Sequence, residues 1–132
     1  MTAQTIAGYA HVNIGVTDLD AANEFYGGTL GLELLPRPDF GTFGGSWFRL
    51  GAAQLHLSVV ERMPDWNSGA PHFALYVPTD DFLTTVDKLQ AAGVEFTSPP
   101  RTREDFGVPV QAAFCRDPDG NLIELTDVAP FD

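Results

Sequence analysis

His11-Val12-Asn13-Ile14-Gly15-Val16 is answered sixty-one residues later by His72-Phe73-Ala74-Leu75-Tyr76-Val77, one phrase written twice. Self-similarity at a fixed offset decides the fold before any other signal is weighed. Each phrase reads as a short strand, and each runs into an aspartate-rich turn, Thr17-Asp18-Leu19-Asp20 and Thr79-Asp80-Asp81. Such turns supply capping side chains and favourable charge to a helix N-terminus. Leu19, Ala22, Phe25 and Tyr26 then fall on one helical face, and Phe82, Val86 and Leu89 do the same, so each helix covers a sheet with an apolar stripe. The helices are expected to stop at Gly27-Gly28 and at Gly93. A second strand follows in each half, opened by Gly31-Leu32-Glu33-Leu34 and by Gly93-Val94-Glu95-Phe96.

Further along, Ser46-Trp47-Phe48-Arg49-Leu50 and Gln54 to Val60 flank a turn at Gly51, a hairpin pattern. The second half repeats it with Val110 to Cys115, the turn Asp117-Pro118-Asp119-Gly120-Asn121, and Leu122 to Thr126. Each half therefore reads strand, helix, three strands. The predicted fold class is α+β: two βαβββ modules in one chain, about residues 8–61 and 71–128, joined by an aperiodic connector at about 62–70 and forming a single domain over 1–132. Ala129 to Asp132 is expected to fray.

At 132 residues the chain can bury a core without crosslinks. Its only cysteine, Cys115, precludes an internal disulfide and fits a reducing compartment. Met1 to Gly8 carries no basic residue and leads into no apolar run, so the protein is expected in the cytoplasm. Seven Lys and Arg against eighteen Asp and Glu give a formal charge of −11. That charge repels phosphate backbones and anionic membranes, so neither nucleic acid nor membrane is an expected partner, and a small molecule is.

Side chains alternate along a strand. His11, Asn13 and Gly15 oppose Val12, Ile14 and Val16, whose aliphatic face must meet the helix; His56 opposes Leu55 and Leu57; His72 opposes Phe73 and Leu75; Glu124 opposes Ile123 and Leu125. All three histidines of the chain thus lie on the face away from a helix, in the first or fourth strand of a module. Imidazole nitrogens with a carboxylate suit one divalent ion, zinc, nickel, cobalt, iron or manganese. Three or four protein ligands leave room for water or substrate, the mark of a catalytic centre.

Arg116-Asp117-Pro118-Asp119-Gly120-Asn121-Leu122-Ile123-Glu124-Leu125, together with Phe25-Tyr26 followed by Leu30-Gly31-Leu32-Glu33-Leu34, resembles the vicinal oxygen chelate superfamily. That group includes glyoxalase I, methylmalonyl-CoA epimerase, extradiol dioxygenases, fosfomycin-modifying enzymes and bleomycin-resistance proteins, and the resemblance covers nearly the whole chain. It implies a cupped, mixed sheet around an ion held by His11, His56, His72 and Glu124. It further implies a homodimer and a metal-dependent lyase or isomerase acting on a small substrate with vicinal oxygens, with Glu124 as both ligand and base. His56 stands where glyoxalase I usually has Glu and epimerases often have Gln, which leaves Glu124 as the proton acceptor. Two other classes stay open: a dioxygenase using His11, His72 and Glu124, and a non-catalytic binding or resistance protein. The fosfomycin-modifying members are disfavoured, since Arg101, Arg103 and Arg116 are scattered.

Bland readings stand beside sharper ones. Asp39 is a candidate base at the pocket mouth and, more simply, a turn residue. Phe43, Trp47, Phe106 and Phe114 are candidates for pocket lining or for core. Arg49 either orients a substrate oxyanion or makes a surface salt bridge, and Cys115 reads as a buried inert thiol. Gly41 to Gly45 lacks phosphate-loop spacing and reads as a flexible pocket loop.

Overall fold

The structure, a computed structural model, describes residues 5–65, 70–103 and 109–130, with the backbone alone at Pro99 and Arg103. Trp66 to Gly69 of the connector, Phe106 and the last two residues lie outside that description. The chain divides into two compact units, Met1–Met63 and Pro64–Asp132.

Unit 1 runs β1 (His11–Val16), α1 (Leu19–Asn23), a wider helical turn (Glu24–Thr29), β2 (Leu34–Leu35), β3 (Gly45–Leu50) and β4 (Ala53–Val59). Its sheet has the order β1-β4-β3-β2, with β1 parallel to β4 and the others antiparallel. Asp18 caps α1, its Oδ1 accepting from the Ala21 amide at 3.1 Å. Helix and sheet close over Ala22, Tyr26, Phe48, Leu55 and Leu57, each at most 1% exposed.

The helix does not stop at Gly27-Gly28. It widens, with the Leu30 amide donating to the Phe25 carbonyl five residues back at 2.8 Å, and ends at Gly31, where φ is +75°. The glycines serve packing: a Cβ on Gly27 would stand 3.3 Å from the Phe48 ring. Glycine lets the helix backbone lie against that ring, and a wide turn that spends one extra residue accommodates the approach. The strand expected at Gly31 to Leu34 is a two-residue stub, Leu34–Leu35, paired with Phe48 and Trp47.

Unit 2 runs β5 (Phe73–Tyr76), a 3₁₀ turn (Thr79–Asp81), α2 (Phe82–Ala91), β6 (Phe96–Arg103), β7 (Val110–Arg116) and β8 (Leu122–Thr126). The order is β5-β8-β7-β6, with β5 parallel to β8. Phe82, Val86 and Leu89 are the buried face of α2, and Gly93 ends it with φ of +98°. Asp81 supplies no side-chain cap there. β6 is longer than the sequence suggests and carries Pro99 and Pro100 with register shifts between Phe96 and Arg101. Proline is tolerated because β6 is an edge strand with nothing to donate to outward. Each unit thus has the βαβββ order. No helix among the described residues is long and apolar enough to cross a membrane.

The β7–β8 turn is wired by one buried carboxylate. Asp117 accepts from the amides of Asp119 and Asn121, both at 2.9 Å, and from Asn121 Nδ2 at 2.8 Å. Asp117→Ala strands those donors and is expected to cost about 1–3 kcal/mol, read as a fall in the urea midpoint with unchanged slope.

Candidate functional site

Each unit brings its two singled-out residues together. In unit 1, β1 and β4 lie side by side with Asn13 opposite His56, and β3 places Trp47 opposite His56 on the other flank. The rings follow that register. His11 stacks on His56 at 4.0 Å between centroids and 13° between planes, and Trp47 stacks on His56 at 4.3 Å and 5°. His56 Nε2 lies 2.8 Å from Gln54 Oε1. An oxygen only accepts, so the ring donates through Nε2 and keeps its Nδ1 lone pair. Burial, then the neighbouring His11 and Arg37, pushes the His56 pKa below its ordinary 6.5. That favours the neutral imidazole, the form that binds a metal.

These rings floor an open cleft of about 520 Å³ whose rim is formed by Arg37, Phe40, Phe43 and Trp47. Phe43 and Trp47 are therefore pocket residues. Asp39 is a turn residue, its Oδ1 accepting from the Gly41 amide at 2.9 Å. Arg49 makes the surface salt bridge with Glu33, 2.9 Å between two side chains about 60% exposed. Sequence reasoning passed over Arg37, Phe40 and Gln54. The pattern Pro36-Arg37-Pro38 was the available signal, since a residue held between two prolines is presented on a stiff backbone.

In unit 2, His72 stands one residue before β5, and Glu124 lies in β8 opposite Ala74 and Phe114. His72 Nε2 is 3.2 Å from Glu124 Oε1, while Nδ1 lies 3.0 Å from the Ala70 carbonyl. Phe114 meets the His72 ring edge-on at 5.8 Å. A ring that donates through Nδ1 presents a lone pair at Nε2 to a carboxylate, two electron-rich atoms that need a cation, either a proton or a metal ion. An Nδ1–H held by a backbone carbonyl is the support that metal-binding histidines use. Donor atoms 3.2 Å apart suit neighbouring ligands of one ion with bonds of about 2.0–2.2 Å. The donor types fit a borderline divalent ion. Among the described residues, no group of three or more His, Cys, Asp and Glu side chains converges to hold an ion; the structure brings the four residues together as two pairs.

Cys115 is fully buried in β7, and burial with the nearby Asp117 raises its pKa to about 11. The native thiol is expected to resist aromatic disulfide reagents at pH 8 and to react once urea unfolds the chain. Because the folded value lies above the ordinary 9.0, this group's contribution to stability is complete below pH 9 and is lost as pH rises towards 11.

Residues 8–125 match the family described as Glyoxalase/Bleomycin resistance protein/Dioxygenase superfamily. The chain belongs to that superfamily. A relative from Vibrio cholerae named "Probable lactoylglutathione lyase" is 30% identical over 121 residues, covering 87% of this chain and 86% of its own. One of the same name from Synechocystis sp. is 33% identical over 124 residues, covering 87% and 91%. Among solved structures, a genomically encoded fosfomycin resistance protein from Listeria monocytogenes aligns with a TM-score of 0.79, covering 96% of this chain and 94% of that one. At 19% identity that likeness shows the glyoxalase-type fold.

Proposed function

We propose that this chain is a divalent-metal-dependent lyase or isomerase of glyoxalase-like type, with His11, His56, His72 and Glu124 as ligands and a small substrate bearing neighbouring oxygens. The observation that carries the reading is the His72–Glu124 pair, whose nitrogen and oxygen face each other at 3.2 Å with the far ring nitrogen already engaged. The lyase names of two relatives support it. When bound, the ion supplies Lewis acidity, polarising the substrate oxygens so that the adjacent C–H becomes acidic.

The chain's own residues do the rest. For the thiol adduct of an α-ketoaldehyde, Glu124 takes the proton from the carbon that bears hydroxyl and sulfur, and returns it to the neighbouring carbonyl carbon. The product is a 2-hydroxyacyl thioester of the same composition. The C–H bond lost on one carbon is regained on the next, the hydroxyl proton passes from the first oxygen to the second, and no redox partner is needed. His56, favoured in its neutral form, and the stacked His11 ring form the cleft floor, and the aromatic rim sheds water from it.

The test is elemental analysis of the purified chain followed by turnover of the methylglyoxal–glutathione adduct before and after chelation. Near-stoichiometric metal and turnover that falls on chelation and returns on reloading support the reading. A chain that takes up none of the five metals, or whose turnover ignores the chelator, overturns it.

A further inference from the structure

Arg37 sits on the segment between β2 and β3 with Pro36 and Pro38 on either side, which limits the conformations of its backbone. Its guanidinium carbon stands 4.8 Å from the centre of the Phe40 ring and 5.2 Å from that of Phe43. Those rings lie parallel within 2° at 5.9 Å, and Phe40 reaches Trp47 at 6.2 Å. The guanidinium also lies against the β3 backbone at a residue without a side chain: a Cβ on Gly45 would meet Arg37 Nε and Nη2 at 3.2 Å and collide with the Leu57 carbonyl.

What it lacks is an acid. Among the described residues no carboxylate is paired with Arg37, whereas Arg49 is paired with Glu33. The hydrogen bonds of Arg37 go to the main-chain carbonyls of Pro38 at 3.5 Å and Phe43 at 3.3 Å, long contacts that a better acceptor displaces. In a chain with eighteen acidic residues and seven basic ones, an arginine held on aromatic rings at the rim of a cleft floored by two imidazoles is placed for an incoming anion.

The other polar groups narrow the anion. Ser58 Oγ is committed to Asn13 Oδ1 at 2.8 Å, and Gln54 to His56 at 2.8 Å. A tetrahedral phosphate, which needs several donors around it, finds one cation and few others. A planar carboxylate matches the guanidinium fork and lies between flat rings. We propose that Arg37 receives the carboxylate of the cleft's ligand and that Phe40, Phe43 and Trp47 hold a planar apolar group beside it, making the substrate class a small aryl or similarly flat carboxylate. This deepens, and rests on, the reading of the cleft as a substrate site.

The experiment is calorimetric titration of the full chain at pH 8 with a chelator present, using phenylglyoxylate and its uncharged amide as probes. The carboxylate is expected to bind roughly tenfold or more tighter than the amide. Arg37→Gln removes that preference and leaves amide binding unchanged, while Arg49→Gln changes neither. Equal binding of the two probes to the native chain, a preference that survives in Arg37→Gln, tighter binding of inorganic phosphate, or no binding of either probe each overturns the proposal. Because the ion is absent, failure of the metal reading appears elsewhere, as metal content unchanged by His11→Ala, with the carboxylate preference intact.

Discussion

Substituting His72 or Glu124 with alanine is expected to lower divalent-metal affinity by at least about a hundredfold, since loss of a supporting group alone costs 10–100-fold. The same loss is expected for His11→Ala and His56→Ala. The His72 and Glu124 variants are expected to keep the native fold. The side chain of His72 is 35% exposed and that of Glu124 20%, so truncation opens little cavity, and the buried face of β8 is Ile123 and Leu125, not Glu124. Circular dichroism and a urea midpoint near that of the native chain separate a missing ligand from a missing fold. Ala70 offers an independent check. Its carbonyl holds His72 Nδ1 at 3.0 Å, so a Nδ1-methyl histidine analogue at position 72 is expected to weaken the metal without removing the Nε2 donor. Elemental analysis after dialysis decides the matter: variants that retain native metal content sink the ligand assignment.

Much of this was readable because two independent periodicities agree. The sixty-one-residue echo marks His11–Val16 and His72–Val77 as strands, found at His11–Val16 and, shorter by a residue at each end, Phe73–Tyr76, and the period-two alternation puts Ile123 and Leu125 inward with Glu124 on the other face. Phe82, Val86 and Leu89 mark α2 for the same reason, a stripe that only one geometry makes continuous. Local signals failed where tertiary contacts override them. Gly27-Gly28 reads as a helix stop, yet the Phe48 ring needs the bare backbone there and the helix widens through it. Arg49 and Arg37 show the limit for single charges. Arg49 shares a strand face with the cleft-lining Trp47 by alternation yet pairs with Glu33 at the surface, and Arg37, on no strand at all, reaches the cleft through a loop whose path no periodicity encodes.

The stacked trio of Trp47, His56 and His11 could not be foreseen from alternation, which says that side chains share a face and not that they touch. It follows from β4 lying between β1 and β3: Trp47 is directly opposite His56, while His11, opposite Gln54, reaches His56 along the diagonal. The consequence is chemical. A neutral His56 fixed by Gln54 and flanked by rings is poorly placed to act as a mobile base, which is why the proposed reaction gives the proton transfer to Glu124.

Glu124→Gln is therefore expected to reduce kcat for the thiol adduct about 10²–10⁴-fold while keeping an oxygen donor in place, so that metal is retained at raised concentration. Glutamine removes the proton acceptor and alters the ligand charge together, and Glu124→Asp separates the two. Aspartate restores a carboxylate on a shorter stem and is expected to recover part of kcat, with the pH profile of a carboxylate base and a primary isotope effect when the transferred hydrogen is deuterium. The native isotope effect should vanish in neither variant, because in each the proton still has to leave carbon. Comparison at equal metal loading is essential, since a partly loaded chain lowers the apparent kcat without any change in the chemistry. A fully loaded Glu124→Gln chain that turns over within tenfold of native would move the base elsewhere, and the half-buried carboxylate 3.2 Å from His72 would then serve as a ligand alone.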